Sequence, residues 1–347
     1  MVNPKIVYVI GAGLSASLQF PTVNDLLPKI WERIQDKKMD GDIAKVIRFH
    51  HPNFNPALRN TYPNIETLLS EIDTNEQLFA ASRPAIGNFA AEDLIDRRED
   101  LLLEIARWFH ELQSNALKKP PSWLTQLVSR IKTENAEIIS FNWDLVLDQL
   151  LFGDSLDASS YGFLSRKAAP VLYKPHGSLN WYRGQTGRLL KQDKKFKLYG
   201  GKEQIFAFKP FREPISKRAR KYMPLIIPPV YNKQFKDALF NKLWKQVVSA
   251  ISTASEVRFI GYSLPAADFH ARFIMRCGFY NQEHGELTKD GTRKLATGRA
   301  RVVVVDPSED SKNRVEAAVG WPCKWHPMKI ENWVDSKWTS FNSSISS

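Results

Sequence analysis

Cysteine is almost absent: Cys277 and Cys323 are the only two in 347 residues, and neither belongs to a Cys-x-x-Cys pair. That excludes a disulfide framework and a cysteine-held structural zinc, and it leaves two ordinary thiols of a reducing compartment. Long hydrophobic runs are missing as well. No apolar stretch nears the roughly 20 residues needed to cross a bilayer, and the N-terminus lacks the basic, apolar and small-residue order of a secretory signal. The expectation is a cytoplasmic protein with no membrane partner. Internal repeats are absent, and 43% hydrophobic with 25% charged residues excludes a disordered or fibrous chain.

Acidic residues are scarce in one long stretch. Basic residues outnumber acidic ones 49 to 37, a net of +12, and most of the excess lies in Arg183 to Lys221, where 13 Lys and Arg face only Asp193, Glu203 and Glu213. From Asn64 to Glu104 the balance reverses, with ten acidic residues against Arg83, Arg97 and Arg98. A chain this bipolar suits an anionic partner such as nucleic acid, or self-assembly through opposite faces. Phe196, Tyr199, Phe206, Phe208 and Phe211 interleave with the basic run as candidate base-stacking residues. A solvated, charged hairpin is the commoner use of such a run.

Strand signals are short and separated. Lys5 to Ile10 is a β-branched run that stops at Gly11-Ala12-Gly13, and further runs occupy Glu137 to Phe141, Val171 to Tyr173, Leu225 to Ile227, Glu256 to Ile260 and Arg301 to Val305. Leu14 to Lys37 has helical apolar spacing that Pro21 and Pro28 delay or break. Residues 41–119 carry only helical periodicity, in Ile65, Leu68, Leu69 and Ile72 and then Leu101, Leu102, Ile105, Phe109 and Leu112. Phe235, Leu239, Leu243, Val247 and Ile251 mark a crossover helix. Alternating strands and helices predict an α/β fold of Rossmann-like, doubly wound type, with a parallel sheet of about six strands and a helical insertion at 41–119. The sheet domain would comprise 1–40 and 120–335, with a Ser-rich tail at 336–347.

Five strand ends carry residues that could do chemistry. Gly11-Ala12-Gly13-Leu14-Ser15-Ala16 is a G-x-G-x-x-A turn whose bare backbone can approach a diphosphate, although alone it serves equally as a tight turn. Asn142 and Asp144 follow the next strand, as ligand-facing groups or as helix caps. His176, between Pro175 and Gly177, is expected on a fixed, exposed turn suited to a general base. Gly261 and Ser263 could admit and bind a phosphate, and Asp306 could accept both hydroxyls of a ribose or cap the helix after it. An ordinary dehydrogenase would show a second strand ending in an acidic residue about 20 positions after the glycines. The polar, helical stretch Trp31 to Lys45 stands there instead.

Taken in order, Gly11-Ala12-Gly13-Leu14-Ser15, Phe141-Asn142-Trp143-Asp144, His176-Gly177-Ser178, Gly261-Tyr262-Ser263-Leu264 and Val305-Asp306 resemble the sirtuin family. With Asn64-Ile65-Glu66 they resemble most the bacterial sirtuin-like NAD-cleaving proteins of anti-phage defence. The resemblance implies NAD+ as substrate. It places Ala12 and Ser15, with Gly11 and Gly13, at the diphosphate, Asn142 and Asp144 at the nicotinamide end, His176 as catalytic base, and Gly261, Ser263 and Asp306 at the phosphate and adenosine-ribose end. Protein-deacylating sirtuins carry a four-cysteine zinc module after the histidine. Here residues 183–221 hold a cysteine-free basic insertion in its place, so no zinc is expected.

The function this implies is an NAD+ glycohydrolase releasing nicotinamide and ADP-ribose, an NAD-depleting effector of anti-phage defence. Such an enzyme must be held off until triggered, and no sensor domain is recognisable in the sequence. Control would come from homo-oligomerisation or from a partner, which in the defence family resembles a HerA-type ATPase or a short Argonaute. The alternatives are a sirtuin-type deacylase or ADP-ribosyltransferase, a nucleotide sensor that does not cleave, and a nucleic-acid-binding module using residues 183–221.

Overall fold

The computed structural model describes residues 5–35, 40–79, 91–164, 170–184, 195–200, 204–208, 224–227 and 238–342. Strand β1 (Ile6–Ile10) buries all five residues, as a continuous β-branched run must when helices cover both faces of its sheet. After it come α1 (Ala12–Ala16), α2 (Val23–Ile34), α3 (Asp40–His50), α4 (Ile65–Phe79), α5 (Ala91–Lys118) and α6 (Ser122–Thr133). Next are β2 (Glu137–Ser140), α7 (Val146–Phe152), β3 (Val171–Tyr173), β4 (Gly177–Gly184), β5 (Lys195–Gly200), β6 (Gln204–Phe208) and β7 (Pro224–Ile226). The chain ends through α8 (Ala238–Ser252), β8 (Glu256–Ile260), α9 (Phe269–His284), β9 (Arg301–Val305), α10 (Glu309–Val319), β10 (Lys324–His326) and α11 (Ile330–Asn342).

Six strands pair in parallel in the order β3-β2-β1-β8-β9-β10. Counting only these strands along the chain, the order is 3-2-1-4-5-6, that of a doubly wound α/β sheet. The order reverses between β1 and β8, whose carboxyl ends carry Gly11 to Ser15 and Gly261 to Ser263. Ligands of such sheets bind in the crevice that this reversal opens.

Two strand assignments change. The run expected at Leu225 to Ile227 is β7, which belongs to a separate antiparallel sheet in the order β5-β6-β4-β7. The sixth parallel strand is instead Lys324–His326, beside β9. A three-residue apolar run reads alike in either sheet, so only the neighbour it meets decides. Part of the basic segment is thus an antiparallel pair, β5 with β6, while residues 185–194, 201–203 and 209–223 lie outside the described residues. Phe208 is buried against Tyr182 and so is not presented to bases, while Phe196 is half-buried and stacks toward Tyr161.

Pro21 precedes α2 and Pro28 sits inside it without ending it. The helix starts at Val23 after Thr22, whose hydroxyl donates to Asp25 at 2.9 Å. Leu26, Leu27, Ile30, Trp31 and Ile34 of α2 share one apolar cluster with α3, α4 and α5, so residue 40 does not separate two cores. This helical layer meets the sheet layer at Trp143, Leu145, Leu179 and Ile226. α11 continues to Asn342, into the stretch from residue 336 that composition assigns to a Ser-rich tail. Among the described residues, no helix is long and apolar enough to cross a membrane.

Candidate active site

The turns after β1 and β8 are pressed together. Gly13 donates its N–H to the Gly261 carbonyl at 2.8 Å, and a Cβ on Gly13 would stand 2.6 Å from the Gly261 Cα. Gly261 has φ +57°, a left-handed conformation that glycine adopts at no steric cost. The bareness of these glycines therefore serves strand-end packing first. Gly11 is buried beneath Tyr262, whose Cα a Gly11 Cβ would meet at 2.7 Å, and it does not line the cavity. The Gly13 N–H is spent on Gly261 and is not left for a diphosphate.

Above these turns lies a cavity of about 350 Å³. Ala12, Gly13, Ser15, Asn142, Asp144, His176, Gly261, Ser263 and Asp306 all line it, so the site residues named from sequence converge there, Gly11 excepted. Its other half is apolar. Phe20 and Leu26, Ile65 and Leu69 of α4, and Ile105 and Phe109 of α5 form that wall, so the helical layer completes the pocket.

Asn142, Ser15 and Asp144 form one hydrogen-bonded group. The Asn142 Nδ2 donates to the Gly11 carbonyl at 3.0 Å and to the Ser15 Oγ at 2.9 Å, and Ser15 Oγ donates to Asp144 Oδ2 at 2.7 Å. Ser15 is thus the joint between the two side chains, not a free phosphate ligand. Asp144 also accepts from the Val146 N–H at 3.1 Å, so its role at the start of α7 and its place in the site coexist. Burial pushes its carboxyl above the usual range, and Lys174, Ser15 and Val146 only partly offset that.

His176 departs from expectation. It is 3% exposed, not on an open turn. Gly177 follows it at φ +78° with its α-carbon against the Leu225 carbonyl, where no side chain fits. Phe141 meets the ring edge-on at 4.9 Å and itself stacks on Tyr262 at 4.2 Å. The His176 Nε2 lies 3.0 Å from the Asp268 Oδ2, which also accepts from the Tyr262 hydroxyl at 3.0 Å. A carboxylate so placed selects the tautomer with the proton on Nε2, leaves the lone pair on Nδ1, and stabilises the imidazolium.

Asp268 was not among the residues singled out from sequence. It stands just before α9, where an aspartate reads as a helix cap, yet its side chain makes no cap bond. Glu66, Phe141, Trp143 and Tyr262 also line the cavity. At the far end, Asp306 uses one oxygen to accept the Ser308 N–H at 2.9 Å ahead of α10, and the Ser263 carbonyl accepts from Arg314 at 2.7 Å.

Among the described residues, four carboxylates line this cavity, Glu66, Asp144, Asp268 and Asp306, and no lysine or arginine does. In a chain of net charge +12 the pocket is locally acidic, which favours positive charge at its centre. No group of three or more His, Cys, Asp or Glu side chains among the described residues is placed to hold a metal ion.

No protein-family model matches the sequence, and no curated protein matches it. Solved structures similar to this chain include a Sir2 homologue mutant in complex with ADP-ribose, 12% identical, covering 99% of this chain and 93% of that one at a TM-score of 0.46. A Sir2 homologue in complex with NAD is 15% identical, covering 96% and 87% at a TM-score of 0.44. The α/β doubly wound fold itself is assigned from the strand order of the parallel sheet.

Proposed function

We propose that this protein is an NAD+ glycohydrolase, cleaving NAD+ with water to nicotinamide, ADP-ribose and a proton. The observation that carries the reading is the buried His176–Asp268 pair, 3.0 Å apart, on the wall of a cavity that Asn142 shares at the switch point of the sheet. The bond from the nicotinamide nitrogen to the ribose C1′ breaks, and its electron pair neutralises the pyridinium. A water oxygen bonds to C1′ and gives its proton to His176, whose charge Asp268 balances. With its Nδ2 committed to Gly11 and Ser15, Asn142 keeps its Oδ1 to accept from that water or from a ribose hydroxyl.

The acidic lining favours the oxocarbenium-like charge that develops on the ribose. The Ser263 hydroxyl and turn N–H groups other than that of Gly13 would meet the diphosphate, and Asp306 the adenosine ribose. From the motif order in the sequence, the same proposal extends to an NAD-depleting role in anti-phage defence, with homo-oligomerisation or a partner as the trigger.

The test is NAD+ consumption by the purified protein, with the products separated chromatographically and no peptide present. Nicotinamide and ADP-ribose in equal amounts are expected, with release lowered roughly 10²–10⁴-fold in His176→Ala and also lowered in Asn142→Ala. Unchanged turnover in His176→Ala would sink the assignment of the base. Cleavage that requires an acylated peptide would move the reading to a deacylase, and NAD+ binding without cleavage, even with partners supplied, to a sensor.

A further inference from the structure

Behind the cavity lies a buried cation that the proposed chemistry does not use. Lys174 is 1% exposed. Its Nζ donates to the backbone carbonyl of Asp144 at 2.6 Å, reaches that of Trp143 at 3.4 Å, and pairs with Asp148 Oδ2 at 3.1 Å. Two of its contacts are therefore to the turn that carries Asn142 and Asp144. Lys174 itself begins the turn that carries His176, closed by the Gly177 N–H on the Lys174 carbonyl at 2.9 Å. One ammonium thus joins the turn of the proposed base to the turn of the proposed amide.

The polar chain continues away from the site. Asp148, also 1% exposed, accepts from the Tyr161 hydroxyl. Asn180 donates to that hydroxyl at 3.0 Å and to the Phe208 carbonyl of β6 at 2.9 Å. On the other side of the Asn142 turn, Gln113 of α5, fully buried, accepts the Leu145 N–H at 2.8 Å. The turn is held from the sheet side by Lys174 and from the helical layer by Gln113. Buried charge is costly unless every group is satisfied, and an apolar residue would fill the space below Trp143 without that cost. What the ammonium adds is direction: donors aimed at two successive carbonyls set where the next side chains point.

We propose that Lys174 is a positioning residue, holding Asn142 and Asp144 in register with His176, while Asp148 supplies its counter-charge. This rests on the glycohydrolase reading for its consequence but not for its geometry, so the experiment has two arms. In Lys174→Met/Asp148→Leu, which removes both charges together, amide hydrogen exchange at Leu145 and Val146 should quicken about tenfold or more relative to β1. Nicotinamide release should lose about 10²-fold in kcat, the cost of a misplaced catalytic group, with KM held within about threefold.

Lys174→Gln/Asp148→Asn keeps hydrogen-bond donors without charge and is less prone to misfold. It should recover most of the exchange protection and lie within about tenfold of the parent kcat. Unchanged exchange at Leu145 and Val146 in a folded Met/Leu variant overturns the proposal, whatever happens to turnover. Faster exchange with unchanged kcat overturns the catalytic consequence. A parent protein that cleaves no NAD+ even with partners supplied defeats the glycohydrolase reading alone, because the exchange arm still reports on the clamp.

Discussion

Two polar clusters on the same sheet, one part-buried and one buried, show how similar residues can serve opposite ends. Toward the amino ends of the strands, Glu134 accepts from Tyr8 at 2.5 Å, from Arg130 at 2.8 Å and from Arg258 at 2.7 and 2.9 Å. Arg258 also donates to Glu256 at 2.6 Å. Burial there raises the cost of the Glu134 charge, but hydrogen bonds from Tyr8, Arg130 and Arg258 more than offset it and the carboxyl falls below its ordinary range. At the carboxyl ends, Asp144 has Ser15, one backbone N–H and the more distant charge of Lys174, and it is left above its ordinary range. The first cluster is saturated and ties β1, β8 and the end of α6 together. The second is left partly uncompensated, the condition in which a group can respond to a ligand or a proton.

Breaking the His176–Asp268 pair should have the largest effect. Asp268→Asn keeps the shape but removes the counter-charge and the tautomer preference, and nicotinamide release should fall roughly 10²–10⁴-fold. Near-normal kcat with intact NAD+ binding would show that His176 works without it.

The saturated cluster should answer in stability instead of chemistry. Glu134→Ala strips Arg258 of its main partner while leaving Glu256, and should cost about 2–3 kcal/mol in urea unfolding, with turnover per folded molecule unchanged. A loss of activity at full foldedness would erase the contrast between the two ends. Smaller still is Gly13→Ala, whose methyl would stand 2.6 Å from the Gly261 Cα. Overpacking of this kind costs about 1–3 kcal/mol, and a neutral result would mean that the two turns can separate.

Asp144→Asn should change stability in the opposite direction from Glu134→Ala. A carboxyl raised in the folded state is easier to protonate there, so its charge destabilises the fold above the raised value and ceases to do so as the pH falls to the ordinary carboxylate range. The variant should therefore melt higher than the parent near neutral pH, with the gain shrinking on acidification. A gain that grew toward acid would reverse the assignment. The least effect is expected at the thiols: burial pushes Cys323 up to about 12 and raises Cys277 as well, so mild alkylation near neutral pH should be slow and leave turnover unchanged.

The carboxyl-edge site was readable because its markers are local. A β-branched run stopping at glycine, as at Ile10 to Gly13 or Ile260 to Gly261, announces a strand end wherever it occurs, and open α/β sheets bind ligands at such ends. Convergence of Asn142, His176, Ser263 and Asp306 follows once their strands are parallel. The apolar wall was not readable as a wall: Leu26, Leu69, Ile105 and Phe109 look in the sequence like any core-facing helical residues, and which side of the cavity they cover depends on how α2, α4 and α5 pack.

Hydrophobic periodicity and glycine placement were enough for five of the six strands of the parallel sheet, the helical stretch between β1 and β2, and the strand ends at which chemistry could sit, because each acts within a few residues. Tertiary structure alone decided that β7 joins a second sheet, that Lys324–His326 closes the first, that Gly11 serves packing, and that His176 is buried. It also brought Asp268 to His176 and the Lys174 ammonium to the backbone carbonyls of Trp143 and Asp144. These are pairings between groups far apart in the chain, whose value depends on distance and on exclusion from water, and neither is written in the order of the residues.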